Sequence, residues 1–221
     1  MSGIAIFDMN ETTLDLGPVR TLVDELLSTG GGFQVWFQRL LQLSMATTAT
    51  GQEFQDFGTL ARAAFDANAE AGRIAPGPDA FSTVATVLGA ISPYHEVPAA
   101  MTRLRDAGWT LVALTNSGQA MVDGQVERAG IRDLFDHVLS VEAVQTYKPN
   151  AAPYRHALEV VDAQPGDAWM VACHDWDLAG AKAVGLRTAF VERRYMTYAS
   201  AFAPPDLSVR NFTELADALL A

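Results

Sequence analysis

A single cysteine, Cys173, stands among 221 residues, so an internal disulfide is impossible and a disulfide-stapled framework is excluded. Basic residues are scarce as well: 15 Lys and Arg face 26 Asp and Glu, a formal charge of −11. A field of that sign repels phosphate backbones and anionic headgroups, so neither nucleic acid nor a membrane surface is expected as a partner. Apolar runs are short, none approaching the roughly 20 residues that span a bilayer. The first residues hold no basic stretch and Asp8 breaks their apolar one, so no secretory leader is expected and the expected location is the cytoplasm. Internal repeats and low-complexity tracts are missing too.

What the chain does have is core material. Apolar residues make up 49% and charged residues 19%, the balance of a compact α/β domain, alone or with a small insertion. Apolar runs at 4–8, 110–115, 137–141 and 168–173, with a shorter one at 187–191, read as strands. Between them, 98–107, 119–129, 151–161 and 178–185 carry helical spacing. Gly108, Gly130 and Gly185 follow three of these helices, where a glycine stop belongs. Repeated β-α units imply a Rossmann-like parallel sheet flanked by helices.

Residues 17–96 break that rhythm. Helices are expected at 18–28, 33–48, 51–70 and 78–89 with no strand among them, and Pro93 and Pro98 bracket the return of the chain. The expected division is therefore a core of 1–16 and 97–221, with an all-helical insertion, 17–96, placed after the first strand to cover its end.

Four strand ends carry polar chemistry. Ile4-Ala5-Ile6-Phe7 runs into Asp8, followed by Met9-Asn10-Glu11-Thr12; in a parallel sheet this carboxyl end faces the ligand crevice. Leu111–Leu114 ends on Thr115-Asn116-Ser117-Gly118, hydroxyl and amide donors ahead of a helix, a natural anion site. Thr146-Tyr147-Lys148-Pro149 brings a cation that would keep a buried carboxylate ionised. Trp169–Cys173 leads into His174-Asp175-Trp176-Asp177. Each has a plainer explanation, since Asp8 could close a turn, Thr115 and Asp177 could cap helices, Lys148 could be solvated and His174 could bond a loop carbonyl. Four polar strand ends in the order Asp, Thr/Asn, Lys, Asp are harder to explain separately.

These four segments resemble, in order, the motifs of the haloacid dehalogenase superfamily, whose fold is a parallel sheet with a mobile cap. Most members of that superfamily are Mg²⁺-dependent phosphatases, with a second Asp two places after the nucleophile as general acid. Here that place is Asn10, an amide that gives up no proton. The metal-binding Asp of the phosphatases falls on Cys173, and a neutral thiol suits Mg²⁺ poorly. No metal and no cofactor are therefore expected.

Carbon–halogen cleavage needs neither group, and the chain is similar to the L-2-haloacid dehalogenase branch at further positions. Arg39 lies 31 residues after Asp8, in Trp36-Phe37-Gln38-Arg39, like the branch's cap arginine. Tyr154 follows Lys148 by six residues, Trp176-Asp177 precedes Gly180-Ala181, and Phe57 falls near a phenylalanine of the halide site. Asn10 stands where well-known members have an aromatic, and His174 where they have an Asn that places water. A similar His-x-Trp-Asp turn and an Asn-Glu-Thr sequence occur in a subgroup of the branch.

The resemblance implies hydrolysis of a short (S)-2-haloalkanoic acid through an aspartyl ester on Asp8. Lys148 would keep Asp8 ionised and Thr12 would orient it. Arg39 and Asn116 would receive the halide, Phe57 and Trp176 would line its site, and Thr115 would hold the substrate carboxylate. Tyr154 would support Lys148 or touch substrate, while Asp177 or His174 activates water. The implied assembly is a homodimer. The alternatives are a phosphatase of small phosphate esters and a non-catalytic binding domain of the same fold.

Overall fold

The computed structural model describes residues 3–28 and 30–221; the first two residues of the expected core segment lie outside this range. A six-stranded, fully parallel sheet runs in the order β3-β2-β1-β4-β5-β6. The strands are β1 (Ile4–Phe7), β2 (Thr110–Thr115), β3 (His137–Ser140), β4 (Ala168–Ala172), β5 (Arg187–Val191) and β6 (Leu207–Val209). The chain first builds leftward from β1 and then rightward, so the topological switch lies at β1, where open parallel sheets bind ligands.

β1 is buried on both faces, which explains its unbroken apolar run. Phe7 points to the face packed by α5 (Val97–Asp106) and α9 (Phe212–Leu220), its ring stacked at 5.6 Å on Phe212. Ile6 points to the opposite face, among residues of α7 (Ala151–Val160) and α8 (Asp175–Val184). The period of two thus divides one short strand between two cores. α6 (Gln119–Arg128) follows β2 as the crossover to β3.

Five α-helices lie between β1 and β2: the core helix α5 and, ahead of it, α1 (Gly17–Leu26), α2 (Gly32–Thr50), α3 (Phe57–Ala71) and α4 (Ala80–Leu88), the four of the inserted stretch. They share a hydrophobic cluster with the β1 end of the sheet through Met9, Leu14, Trp36 and Phe65. α3 starts later than the expected 51, because the Asp56 carboxylate accepts the Thr59 N–H and caps the helix there. β6 and α9 were not expected from apolar periodicity; three residues of β6 are too few to show alternation. The Gly185 stop appears as expected, at φ 99°. Among the described residues no helix is long and apolar enough to cross a membrane.

Gly180 shows how tightly the site's base is packed. A Cβ there would lie 2.5 Å from the Pro149 carbonyl oxygen and 2.7 Å from the Tyr154 hydroxyl. Gly180→Ala is expected to lower stability by about 1–3 kcal/mol through overpacking, measured as a reduced urea midpoint with an unchanged slope.

Candidate active site

Asp8 follows directly on β1, and its N–H extends the ladder by donating to the Val171 carbonyl at 3.0 Å. The turn beyond it folds back on itself: Thr13 donates to the Asp8 carbonyl at 2.7 Å, and the N–H groups of Thr13 and Leu14 both reach the Met9 carbonyl. The carboxylate is therefore held on a rigid strand end at only 6% exposure.

Lys148 has no exposed surface, and its ammonium is fully engaged. Nζ donates to Asp8 Oδ1 at 2.9 Å, to Asp177 Oδ2 at 2.7 Å and to the Leu114 carbonyl at 2.9 Å. Burial would by itself neutralise Lys148, but the charges of Asp177 and Asp8 outweigh it and raise its pKa. Burial also works against an ionised Asp8, yet Lys148 and His174 hold its pKa below the ordinary carboxylate value. Burial pushes Asp177 upward against the pull of Lys148, so the shared ammonium favours Asp8 as the ionised partner.

Asp8 Oδ2 accepts the Thr12 hydroxyl at 2.7 Å and lies 3.1 Å from His174 Nδ1. Thr12 Oγ1 in turn accepts the Cys173 N–H at 3.0 Å, tying the β1 turn to the end of β4. The second ring nitrogen, His174 Nε2, lies 3.2 Å from Glu11 Oε2. Burial disfavours an imidazolium here, but the Cys173 sulfur and the Asp8 and Glu11 carboxylates around the ring raise the His174 pKa well above its usual value.

The cavity at Asp8 has a volume of about 20 Å³. Its core wall is Asp8, Asn10, Thr115 and Asn116, with His174 and Trp176 at one side. Phe37 and Leu41 of α2 and Phe57 of α3 close it from above. Asn116 is oriented by its oxygen, which accepts the Lys148 N–H at 3.0 Å; its buried Nδ2 is left without a partner. That unpaired donor beside an ionised carboxylate is a ready seat for an anion. A larger, mainly apolar chamber of about 290 Å³ shares Asn10, Phe37 and Phe57 with this cavity. It runs between the inserted helices and α6, past Trp36, Val84, Leu88 and Met121.

Most of the residues expected from the sequence converge: Asp8, Thr12, Lys148, His174, Thr115, Asn116, Phe57 and Trp176 surround or support this cavity. Thr115 Oγ1 accepts the Ser117 N–H at 3.1 Å. Two expectations are corrected, those for Arg39 and Asp177. Arg39 is exposed and donates to Gln42 at 2.7 Å. It lies two positions from both Phe37 and Leu41, about 200° round the helix from the residues that face the cavity. Tyr154 does not line the cavity and supports Lys148 indirectly: it is fully buried and donates to Asp177 Oδ1 at 2.6 Å, while Asp177 Oδ2 accepts the ammonium. Asp177 has both oxygens engaged, by Lys148 and Tyr154, and no exposed surface from which to reach a water. Glu11 and Phe37 were missed as site residues. The signal for Phe37 was its i, i+4 relation to Leu41, and for Glu11 its place three residues after Asp8.

The slot between the two acidic side chains, where a divalent ion would be sought, is filled by the Lys148 ammonium. Among the described residues no group of three His, Cys, Asp or Glu is placed to hold a metal. With an amide at position 10 and a thiol at position 173, the donor set does not suit Mg²⁺.

A family model described as haloacid dehalogenase-like hydrolase matches residues 38–191. The chain belongs to this family. It is 27% identical over 220 residues to the (S)-2-haloacid dehalogenase 1 of Pseudomonas sp. (strain CBS-3), covering 97% of this chain and 95% of that one. It is 32% identical over 128 residues to the (S)-2-haloacid dehalogenase of Pseudomonas sp. (strain YL), 58% of this chain and 55% of that one. In fold it matches the L-2-haloacid dehalogenase of Xanthobacter autotrophicus, solved with chloropropionic acid covalently bound, at a TM-score of 0.89 and 23% identity, over 100% of this chain and 99% of that chain.

Lys148→Met is expected to cost about 3–5 kcal/mol at pH 7, because it leaves two buried carboxylates without their counterion. Asp8 has a depressed pKa, so its stabilising pairing is present above the unfolded carboxylate value near 4 and is lost as pH falls below it. The stability gap between wild type and variant, read from urea unfolding, should therefore hold from pH 7 down to about 4 and shrink only below that.

Proposed function

We propose that the protein is an (S)-2-haloacid dehalogenase, releasing halide from a 2-haloalkanoic acid through an aspartyl ester on Asp8 and needing no metal. The observation that carries this reading is the pairing of an ionised, buried Asp8 with an unpaired donor, Asn116 Nδ2, and no acid at position 10. Halide leaves without a proton, whereas an alcohol leaving from a phosphate ester needs one. The matched relatives are named for the same chemistry.

Asp8 attacks C2 in line with the carbon–halogen bond, and the halide departs with the bonding pair. Lys148 keeps Asp8 charged, Thr12 directs its second oxygen, and Asn116 receives the anion in place of the outward-facing Arg39. Phe37, Phe57 and Trp176 exclude water from the carboxylate and so strengthen these interactions. Water then attacks Cγ of the ester, with His174 rather than Asp177 as base, because His174, unlike Asp177, lies against Oδ2 of Asp8. Inversion at C2 is retained through this second step.

The reading takes residues 17–96 as a cap over the core formed by 1–16 and 97–221. It places the substituent on C2 in the adjoining apolar chamber, which is far larger than a methyl group requires. A cytoplasmic homodimer belongs to the same reading, on family resemblance.

Halide release from (S)-2-chloropropionate should be insensitive to chelator and lost in Asp8→Asn, and single-turnover ¹⁸O-water should label Asp8 before the product. Release of phosphate from esters, abolished by EDTA, with no halide from any haloacid, would sink the proposal. Asn116→Ala should lower kcat by about 10²–10³, as for other preorganised donors to developing charge, while Arg39→Ala should stay within about twofold, the limit for an exposed side chain that leaves the site untouched. Going from chloropropionate to chlorohexanoate, kcat/KM should rise by up to about fourfold per buried methylene, from about 0.8 kcal/mol each.

A further inference from the structure

Glu11 occupies an unusual place. It lies in the turn after the nucleophile at φ 64°, in the left-handed region that glycine enters freely and other residues seldom adopt. A glutamate there needs a reason in its side chain. That side chain is 5% exposed, and both of its oxygens are committed. Oε1 accepts Arg20 Nη2 at 2.9 Å, and Oε2 lies 3.2 Å from His174 Nε2. Arg20 is itself fixed, lying over the Phe33 ring at 4.1 Å. A continuous line therefore runs Arg20–Glu11–His174–Asp8, with the imidazole Nδ1 3.1 Å from the nucleophile.

We propose that Glu11 is a positioning residue that holds a proton on His174 Nε2 and so leaves Nδ1 to handle the proton of the water that opens the aspartyl ester. The inference rests on the dehalogenase reading above, and assigns the second half of that reaction to a carboxylate–imidazole pair in the manner of a hydrolytic triad.

The proton balance closes. At rest the imidazolium faces two carboxylates, Asp8 and Glu11. Alkylation removes the charge on Asp8, so the Nδ1 proton loses its ionic partner and passes to solvent, accompanying the halide as net acid. A cleft of about 390 Å³, lined by Glu11, Cys173, His174 and Gln42, opens this side of the ring outward. The neutral ring keeps Nε2–H on Glu11 and presents a bare Nδ1 beside Asp8. Water adds to Cγ as Nδ1 takes one of its protons. The Cγ–O bond to the substrate breaks, and the leaving alkoxide takes that proton to become the 2-hydroxy acid. The remaining proton, on the new Asp8 carboxyl, returns to Nδ1 and restores the resting pair. The groups facing His174 are Asp8, Glu11 and Cys173, with Arg20 behind Glu11 and Lys148 across Asp8.

Glu11→Gln, which keeps the size of the side chain and removes its charge, is the test. Rapid quench with (S)-2-chloropropionate should still show about one equivalent of halide per site. Turnover should then fall about 100-fold, with the ester accumulating as added mass on the Asp8 peptide. The acidic limb of single-turnover ester hydrolysis should move to lower pH by about one unit, which a merely structural role does not produce. Equal loss of burst and turnover with an unmoved pH limb, or wild-type ester hydrolysis, overturns the proposal.

A second measurement leaves Glu11 in place. In Asp8→Asn, whose neutral side chain imitates the ester, ¹⁵N NMR of the histidines should show His174 as the Nε2–H tautomer; an Nδ1–H tautomer overturns the inference. If wild type releases no halide from any haloacid, the dehalogenase reading fails, whereas the tautomer still reports on Glu11 by itself.

Discussion

One ammonium organises this site. Lys148 is buried without exposed surface between Asp8 and Asp177, and it draws its third bond from the end of β2. Removing it would strand Asp177 in a low-dielectric pocket without a counterion and leave Asp8 with only the His174 imidazole beside it. The remaining contacts follow from that arrangement. Tyr154 and Asp177 form a buried base that locates the ammonium, and Gly180 is bare so that Pro149 and Tyr154 can close on it. The backbone N–H of Lys148 orients Asn116 and turns its amide donor into the cavity. A single residue between β3 and α7 thereby sets the charge of the nucleophile and the aim of the anion seat.

The same arrangement divides labour between the carboxylates. Asp177 is saturated and inaccessible, and serves as a counter-charge. Asp8 keeps an oxygen that faces Thr12 and His174 at the edge of the cavity, and it is the better ionised of the two. The imidazole is then, among the described residues, the base in contact with Asp8, and Glu11 and Arg20 extend it toward the surface. Opposite, the inserted helices supply only apolar walls. Phe37 stands at the cavity while the nearby guanidinium of Arg39 points to solvent, so in the proposed reaction the leaving anion falls to the Asn116 amide rather than to arginine.

Much of the fold was legible because parallel strands buried on both faces leave continuous apolar runs, and because Gly108, Gly130 and Gly185 mark stops that demand positive φ. β6 and α9 were not anticipated: three residues of strand carry no usable period. The core of the site was legible for a related reason. In a parallel sheet, polar residues at strand ends must gather at one edge, so Asp8, Thr115, Lys148 and His174 could be brought together from order alone. Helix faces were harder. A two-residue difference separates Phe37 from Arg39 but turns a side chain through about 200°, and spacing from Asp8 could not detect that rotation.

The amino-acid sequence by itself determined the sheet, the interruption after its first strand and the place of Asp8 at a strand end, since apolar periodicity and strand-end polarity are local properties. Which carboxylate is spent on structure, which face of α2 meets the cavity, and that Glu11 reaches His174 were decided only by tertiary structure. Those outcomes depend on hydrogen-bond saturation and helix rotation, and both are set by contacts between residues far apart in the chain, from 23 positions for Tyr154 and Asp177 to 163 for Glu11 and His174.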